Sequence, residues 1–527
     1  MEEKPRLKLL ATEDYWAIWL GLFILVLAMG FFWGGSTLAP WAVTPGTWKT
    51  GGELVADLGK HAAGYVVLYL GFGAAFTVSM FFMRRNLAQY VAGYTVLFLG
   101  SLVIFYLAGW KVMHDLDLGA PLLALLLGLV IGNLARMPAW IQTALRTEYY
   151  VKTGIVLLGA TLPVSLIFTT GPLALLQATI VSVSTWLTIY LAATRLFKLD
   201  PRFGAVLGAG GAVCGVSGSI AIGGAVRADK DHIAIGIGVV SVWAIVMIFI
   251  LTFVLKAIVP DPMHPAVAGA WVGTSEYADA AGFAVVAELA QKFGEGPIQA
   301  FTLMKVIGRD IWIGIWAFVL SVVSVVYWEK RDGGARLGAG VIWERFPKFV
   351  IGFFVASMAV AAVGASAPVD WDGVAAVKGA YKSKAGTEKY DADFSAYAVP
   401  ASLADRFSVD RDQGHVRFRG KMSREDFTAL TAAATTPDQK TALKQLRDAS
   451  NWVESVLGPK VVGPIKKLRE WAFVLCFLGI GLSTRFKDLA TFGLKPFWAF
   501  TIGVLVNVPL GFLLSQVIFR KFWMALQ

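Results

Sequence analysis

Thirteen predominantly apolar runs, most close to the length that crosses a bilayer, govern what this 527-residue chain can fold into. A hydrocarbon core about 30 Å thick takes roughly 20 apolar residues per helix, and lipid offers backbone N–H and C=O groups no partners of its own. The runs fall near 15–33, 61–82, 88–110, 119–134, 150–168, 172–194, 203–226, 232–256, 264–290, 298–328, 346–363, 467–483 and 494–519, with short polar loops between most of them. The expected fold class is therefore an all-α polytopic membrane protein with about 13 transmembrane helices. Composition agrees: 57% of residues are hydrophobic and 16% charged, against about 25% charged in soluble proteins. A disordered chain, a collagen-like repeat and a disulfide scaffold are excluded, the last because there are only 2 Cys. The first run is not expected to be a cleaved leader, since its apolar core is too long and no small-residue cleavage site follows Phe31-Phe32-Trp33.

Charge divides the chain further. Residues 364–460 carry 14 Lys+Arg and 13 Asp+Glu, about twice the charge density of the remainder. This segment reads as a soluble α+β insert. His415 to Lys421 alternates like a strand, Ser423 and Asp426 have capping-box spacing, and 438–450 has a helical pattern. The net charge of +11 lies almost wholly on the membrane part, where basic loops set orientation, so it does not point to nucleic acid. With the N-terminus in the cytoplasm, 20 basic residues, Lys256 among them, fall in inside loops. Eleven, including Arg227 and Lys230, fall outside. This bias predicts a multi-pass protein of the bacterial inner membrane, with 364–460 in the periplasm or outside the cell.

Two membrane segments contain sequence that an ordinary spanning helix avoids. Gly204 to Gly224 holds eight glycines and three small hydroxyl or thiol side chains, and Leu475 to Thr484 is a weaker second case. Counting from 119, five helices run to 256 and five more from 264 to 519, and each suspect segment is fourth in its set. That pattern predicts a 5+5 inverted repeat with a discontinuous helix in each half. The competing reading is close small-residue packing between helices. The expected divisions are additional membrane helices over 1–118, a first repeat over 119–256, the first part of a second over 257–363, the insert over 364–460, and the last two helices over 461–527.

Intramembrane charge marks a candidate site, because an ionisable side chain in lipid needs a cavity or a partner. Lys305 and Arg309 share a helix face, with Asp310 turned away, and Glu276 and Asp279 lie on a weakly hydrophobic stretch after Thr274 and Ser275. Cys214 and Cys476 read as buried and inert rather than as a redox pair. No CxxC, HExxH or paired-His spacing occurs, so no metal or other cofactor is expected. No nucleophile and base fall together either, and the chain is not expected to be an enzyme.

These residues resemble the sulfate exporter family of bacterial membrane proteins, related in fold to the sodium/proton antiporters and bile-acid transporters. The resemblance rests on Gly208-Ala-Gly-Gly-Ala-Val-Cys-Gly-Val-Ser-Gly-Ser219, on Lys152-Thr-Gly-Ile-Val-Leu-Leu-Gly-Ala160 and on Trp271-Val-Gly-Thr-Ser275. Met304-Lys-Val with a nearby Arg, the run Phe346 to Phe353 and Gly479 to Thr484 add to it, and together these span 119 to 519. Departures are two extra leading spans, a larger insert, a spacing of four between Lys305 and Arg309 where the family has three, and the residues Glu276, Tyr277 and Asp279 after the Gly-x-Ser. The resemblance implies a secondary transporter of a small inorganic or organic anion, such as sulfate, sulfite or a sulfonate. The expected binding residues are Cys214, Gly215, Ser217, Gly218, Ser219, Thr274, Ser275, Lys305 and Arg309, with Glu276 or Asp279 coupling to H+ or Na+. A monovalent cation/proton antiporter of the same architecture, and a membrane-anchored sensor working through the insert, are the alternatives. The lipid bilayer is the other expected partner, and a homodimer is left open.

Overall fold

The computed structural model describes residues 12–115, 119–161, 164–328, 348–368, 371–383, 386–395, 397–410, 412–485 and 493–526. Among the described residues helices dominate, and six of them are long and apolar enough to cross a membrane. The chain divides into two compact units: Met1–Leu25, Trp41–Ser357 and Lys467–Gln527 make one, and Val26–Pro40 with Met358–Lys466 the other.

In the first unit, α1 (Glu13–Trp33), α2 (Gly51–Phe82) and α3 (Leu87–Gly109) precede α4 (Ala120–Leu134), α5 (Thr147–Gly159) and α6 (Val164–Leu191). Local sequence sets several starts: the Thr50 and Asn86 side chains cap α2 and α3. Outward faces stay apolar, with Phe23, Leu70, Phe253 and Leu505 all exposed, as helices solvated by lipid require.

Next come α7 (Pro201–Ala212), α8 (Val216–Ala225), α9 (Lys230–Ile258), α10 (Pro265–Ser275) and α11 (Asp279–Phe293). α12 (Gly296–Phe301) continues through a π-helical stretch, Thr302–Arg309, into α13 (Trp312–Val323). α14 (Phe349–Ala365) leads into the second unit, and α17 (Gly463–Ser483) and α18 (Leu494–Phe512) follow it.

The glycine-rich segment breaks at 213–215, within the stretch where the sequence predicts an interruption. It does not cross with a break, however; it folds back. Arg202 at the start of α7 donates to the carbonyl of Arg227, just past α8, at 3.3 Å. Gly218 lies against Ala209, and Gly210 against the Ser219 hydroxyl. These pairs run antiparallel, so α7 and α8 form a helical hairpin with arms about 18 and 15 Å long, each roughly half a bilayer core.

The second expected break, in 475–484, is overturned. α17 runs unbroken through Gly479 and Gly481, and these glycines serve close packing instead. A Cβ on Gly481 would lie 2.6 Å from both Leu125 O and Leu129 N of α4, and one on Gly128 would lie 2.7 Å from Leu478 O. The second interruption lies at Glu276-Tyr-Ala278, in the segment read as one span over 264–290. It too folds back. α10 lies beside α12, Gly269 against Pro297 and Gly273 against Met304, and α11 ends three residues before α12 begins. Glu288 of α11 pairs at 3.2 Å with Lys256, near the end of α9 that leads into α10. The two hairpins therefore open at opposite ends of α9, about 44 Å apart along its 29 residues.

The insert holds a three-stranded antiparallel sheet, β1 (Asp372–Ala376), β5 (His415–Arg419) and β4 (Phe407–Asp410), in that spatial order. β2 (Lys378–Ser383) and β3 (Gly386–Asp391) pair as a separate ribbon. α15 (Arg424–Ala433) and α16 (Pro437–Ser450) both begin with capping boxes, and Val416, Phe418, Leu430, Leu443 and Leu446 fill the core. The capping box at Ser423 and Asp426 stands where the sequence places it.

Gly481→Ala should lower stability by about 1–3 kcal/mol, because the added methyl meets backbone that cannot rotate away. Gly71→Ala, with nothing within 4 Å, should be neutral or stabilising. Melting temperatures in detergent would compare the two.

Candidate functional site

The two hairpin tips meet. Gly215 has φ +73°, a conformation glycine adopts without strain, and a Cβ there would lie 2.6 Å from the Tyr277 carbonyl of the other tip.

Each inward arm ends in backbone carbonyls that no helix turn can satisfy. One guanidinium takes up both sets. Arg309 Nη2 donates to Gly211 O at 2.7 Å and Nε to Ala212 O at 3.1 Å. Its Nη1 reaches Gly273 O at 3.0 Å, Thr274 O at 2.8 Å and Glu276 O at 3.1 Å. Lys305 adds Glu276 O at 3.2 Å and Val213 O. Both side chains are fully buried, and the π-helical stretch presents them together to the tips. Two cations thus sit where two helix dipoles end, each equivalent to about half a negative charge.

The outward arms begin at the same tips, with the opposite sign. Gly215 and Ala278 are the N-caps of α8 and α11, and neither start receives a side-chain cap. Both starts line one cavity of about 350 Å³. Val216 and Ser217 face it from one hairpin, and Ala278 through Ala281 from the other. Its walls carry Ile245, Ile248 and Ile480, and its polar side chains include Glu148, Lys152, Ser241, Thr484 and Arg485. Lys152 pairs with Asp14 at 2.8 Å and Glu148 at 2.9 Å.

The residues singled out from sequence separate into groups. Cys214, Ser217 and Asp279 line the cavity. Gly215 makes the contact between tips, while Gly218 and Ser219 pack the first hairpin, the Ser219 hydroxyl reaching Val206 O at 3.4 Å. The Thr274 hydroxyl donates to Trp271 O at 2.8 Å and, with Ser275, sits against Gly511 of α18. Lys305 and Arg309 hold the carbonyls. Glu276 turns Oε1 to the Tyr277 N–H at 2.8 Å, and Asp279 Oδ1 lies 3.9 Å from Lys305 Nζ. Cys214 and Cys476 are both free thiols, and the cavity lining includes only the first. Sequence reasoning missed Glu148, Ser241 and Arg485, which sit among other polar residues at helix ends. It set Asp310 aside as turned away from the cationic face, and that residue is wholly buried.

Arg309→Gln should destabilise the protein by about 3–5 kcal/mol, since it removes a buried charge and leaves carbonyls without donors. Arg309→Lys should fall between that variant and wild type. Because the partners are carbonyls that would still lack donors, neutralising Glu276 or Asp279, whose charge Arg309 also balances, should not bring Arg309→Gln back to the wild-type melting temperature. Recovery in such a double mutant would show that Arg309 serves a carboxylate instead.

The family model described as Conserved hypothetical protein 698 matches residues 92–369. A UPF0324 membrane protein of Nitrosomonas europaea is 32% identical over 387 residues, which are 65% of this chain and 79% of the relative. One from Rhodopirellula baltica is 31% identical over 319 residues, 60% of this chain and 57% of the relative. A third, from Nitratidesulfovibrio vulgaris, is 29% identical over 317 residues, 60% of this chain and 53% of the relative. The chain thus spans little more than half the length of the second and third relatives. No solved structure matches it. With more than half of its length matched by the family model, the chain belongs to the conserved hypothetical protein 698 family, the UPF0324 membrane proteins.

Proposed function

We propose that the protein is a secondary active transporter that moves a small anion, of the sulfate, sulfite or sulfonate kind, across the bacterial inner membrane. The observation that carries this reading is the convergence of two uncapped helix N-termini on one cavity, while the matching C-termini are neutralised by Lys305 and Arg309. Free N–H groups and two positive dipole ends favour an anion, and apolar walls strengthen that attraction by keeping the local dielectric low. The volume suits a small solute, at the lower end of the roughly 300–1,000 Å³ of ligand pockets. Ser217 orients the anion, with Cys214 at its edge. Gly215, Gly218, Ser219, Thr274, Ser275, Lys305 and Arg309 shape the tips that present the N–H groups. Two half-membrane hairpins opening at opposite ends of α9 support this reading, since alternating-access carriers use inverted symmetry.

Asp279 and Glu148 on the cavity wall are the observation that favours the second reading, a cation/proton antiporter. Ala280→Asp separates the two. A carboxylate in the first turn of α11 should stabilise the fold by about 0.3–1 kcal/mol through the helix dipole. It should also occupy the anion position and abolish sulfate and methanesulfonate uptake in proteoliposomes. Sodium or potassium exchange that persists in this variant, with no anion flux in wild type, would establish the antiporter.

The hairpins also revise sidedness. When 201–225 and 265–293 fold back, Arg227 and Lys230 join the N-terminal side and Lys256 leaves it. The tally of basic residues moves from 20 against 11 to 21 against 10. A cytoplasmic N-terminus with the insert outside the cytoplasm therefore fits the positive-inside rule better than thirteen simple crossings do. In a background without Cys214 and Cys476, a cysteine at Ser395 should react with a membrane-impermeant thiol reagent in intact cells, and one at Asp229 should be protected. Labelling at 229 would show that 203–226 crosses the membrane.

A further inference from the structure

We propose that Asp279 and Asp310 form a carboxyl pair that holds one proton between them and serves as the proton-coupling site of the transport reading above, on which this inference rests. Charge accounting at the tips comes first. Two cations, Lys305 and Arg309, are buried with the carboxyls of Glu276 and Asp310, and a third carboxyl, that of Asp279, reaches them from the cavity wall. With every group ionised the cluster carries one uncompensated negative charge, which a low-dielectric interior does not tolerate. One bound proton makes it neutral.

Geometry places that proton. Glu276 Oε1 accepts two backbone N–H groups, Tyr277 at 2.8 Å and Ala278 at 3.4 Å, the environment of an ionised carboxylate. Neither oxygen of Asp310, nor Oδ1 of Asp279, receives an N–H or O–H donor from the residues around it. The acidic group that faces Asp310 is the Asp279 carboxyl. Two carboxylates offer each other acceptors alone, so a bond between them needs a proton on one. The Lys305 ammonium, 3.9 Å from Asp279 Oδ1, balances the charge that remains. The other charged or titratable groups facing the pair are Arg309 on the same helical run as Lys305, Cys214 at the first hairpin tip, and Lys152 and Glu148 on α5. Lys152 and Glu148 compensate each other at 2.9 Å.

Access follows from the same geometry. The Asp279 side chain is 16% exposed and lines the cavity, while Asp310 is wholly buried behind it. A monoanionic sulfonate seated at the two N-termini brings one negative charge to this cluster. A second proton, drawn from cavity water onto the Asp279 carboxylate as a new O–H bond, restores neutrality. Anion and proton then travel in the same direction.

Infrared spectroscopy of the full-length protein in nanodiscs tests the pair without any ligand. Wild type at neutral pH should show the C=O band of a protonated carboxyl. Asp279→Asn and Asp310→Asn each leave two carboxylates for two cations, so both should lose the band and keep the melting temperature, while the double mutant, with one carboxylate for two cations, should melt lower than either. Should Asp310→Asn fail to fold, Asp310→Glu should retain a band at a shifted frequency. No band in wild type, or one that survives Asp310→Asn, overturns the pair. For coupling, proteoliposomes with a lumenal pH dye receive methanesulfonate, which has no proton of its own to give. Inward methanesulfonate movement should acidify the lumen in wild type and not in Asp279→Asn, which lacks the carboxylate that takes the second proton. Movement without a pH change in wild type overturns the coupling role. If the band behaves as expected but neither methanesulfonate nor sulfate moves, the pair stands and the transport reading fails.

Discussion

The capture of five backbone carbonyls by the Arg309 side chain is the interaction on which the centre of this protein depends. A helix that stops halfway through a membrane exposes its last carbonyls where water cannot reach them. Two such helices stopping face to face add their negative ends. A guanidinium has five N–H donors in a rigid planar fork and is always charged, so it can neutralise both ends at one point. Lysine, with three donors on a flexible stem, extends the arrangement to the next carbonyls but could not replace it. The π-helical stretch Thr302–Arg309 presents both side chains to the tips, and the fold accepts its irregular ladder in exchange.

Once the C-termini are settled, the N-termini define the site by contrast. The cations that hold the inward arms take no place in the cavity lining, and the field there comes from backbone and from the mixed side chains of α5 and α17. Basic residues in a transporter core invite the inference that they grip the solute. Here their donors go to main chain, so in the transporter proposed above solute selectivity falls to the uncapped helix starts. Such starts bind anions by charge and shape more than by identity, which agrees with a site holding few side-chain donors.

This explains how far the sequence could be read. Apolar run lengths revealed the membrane class, and eight glycines within 204–224 revealed the first interruption, because so many glycines remove the propensity that keeps a helix whole. Run length could not show that the segment folds back, since two half-length arms occupy as many residues as one crossing. The second interruption left almost no local mark: one glycine, Gly273, precedes Glu276, and the break is held by Arg309 from thirty-three residues away. Gly479 and Gly481 misled for the opposite reason. A glycine that lets a helix break and one that lets two helices touch look alike until the neighbouring backbone is in view, and the Gly128 contact decides for the second. Lys305, Arg309 and Asp279 were legible as a group because charge in lipid demands a partner, but whether that partner was solute, carboxylate or main chain was not written in their spacing.

The same clamp limits how such a core can move. Parting the tips would strip the Arg309 donors and expose carbonyls of both arms at once, several kcal/mol of hydrogen bonding to a charged group with nothing in lipid to replace it. The two tips and the π-helical stretch therefore have to travel as one body. Movement is cheaper where helices meet through small residues and van der Waals contact alone, since sliding there breaks no polar bond. The glycine seam between α4 and α17 is such a surface: Gly128, Gly132 and Gly481 bring backbones together without a side-chain lock, although Asn133 ties its far end to Thr484 O at 2.9 Å. For the proposed transporter, a cavity between rigid tips on one side and helices of this kind on another would change its opening by shifting those walls around the tips, leaving the helix N-termini intact.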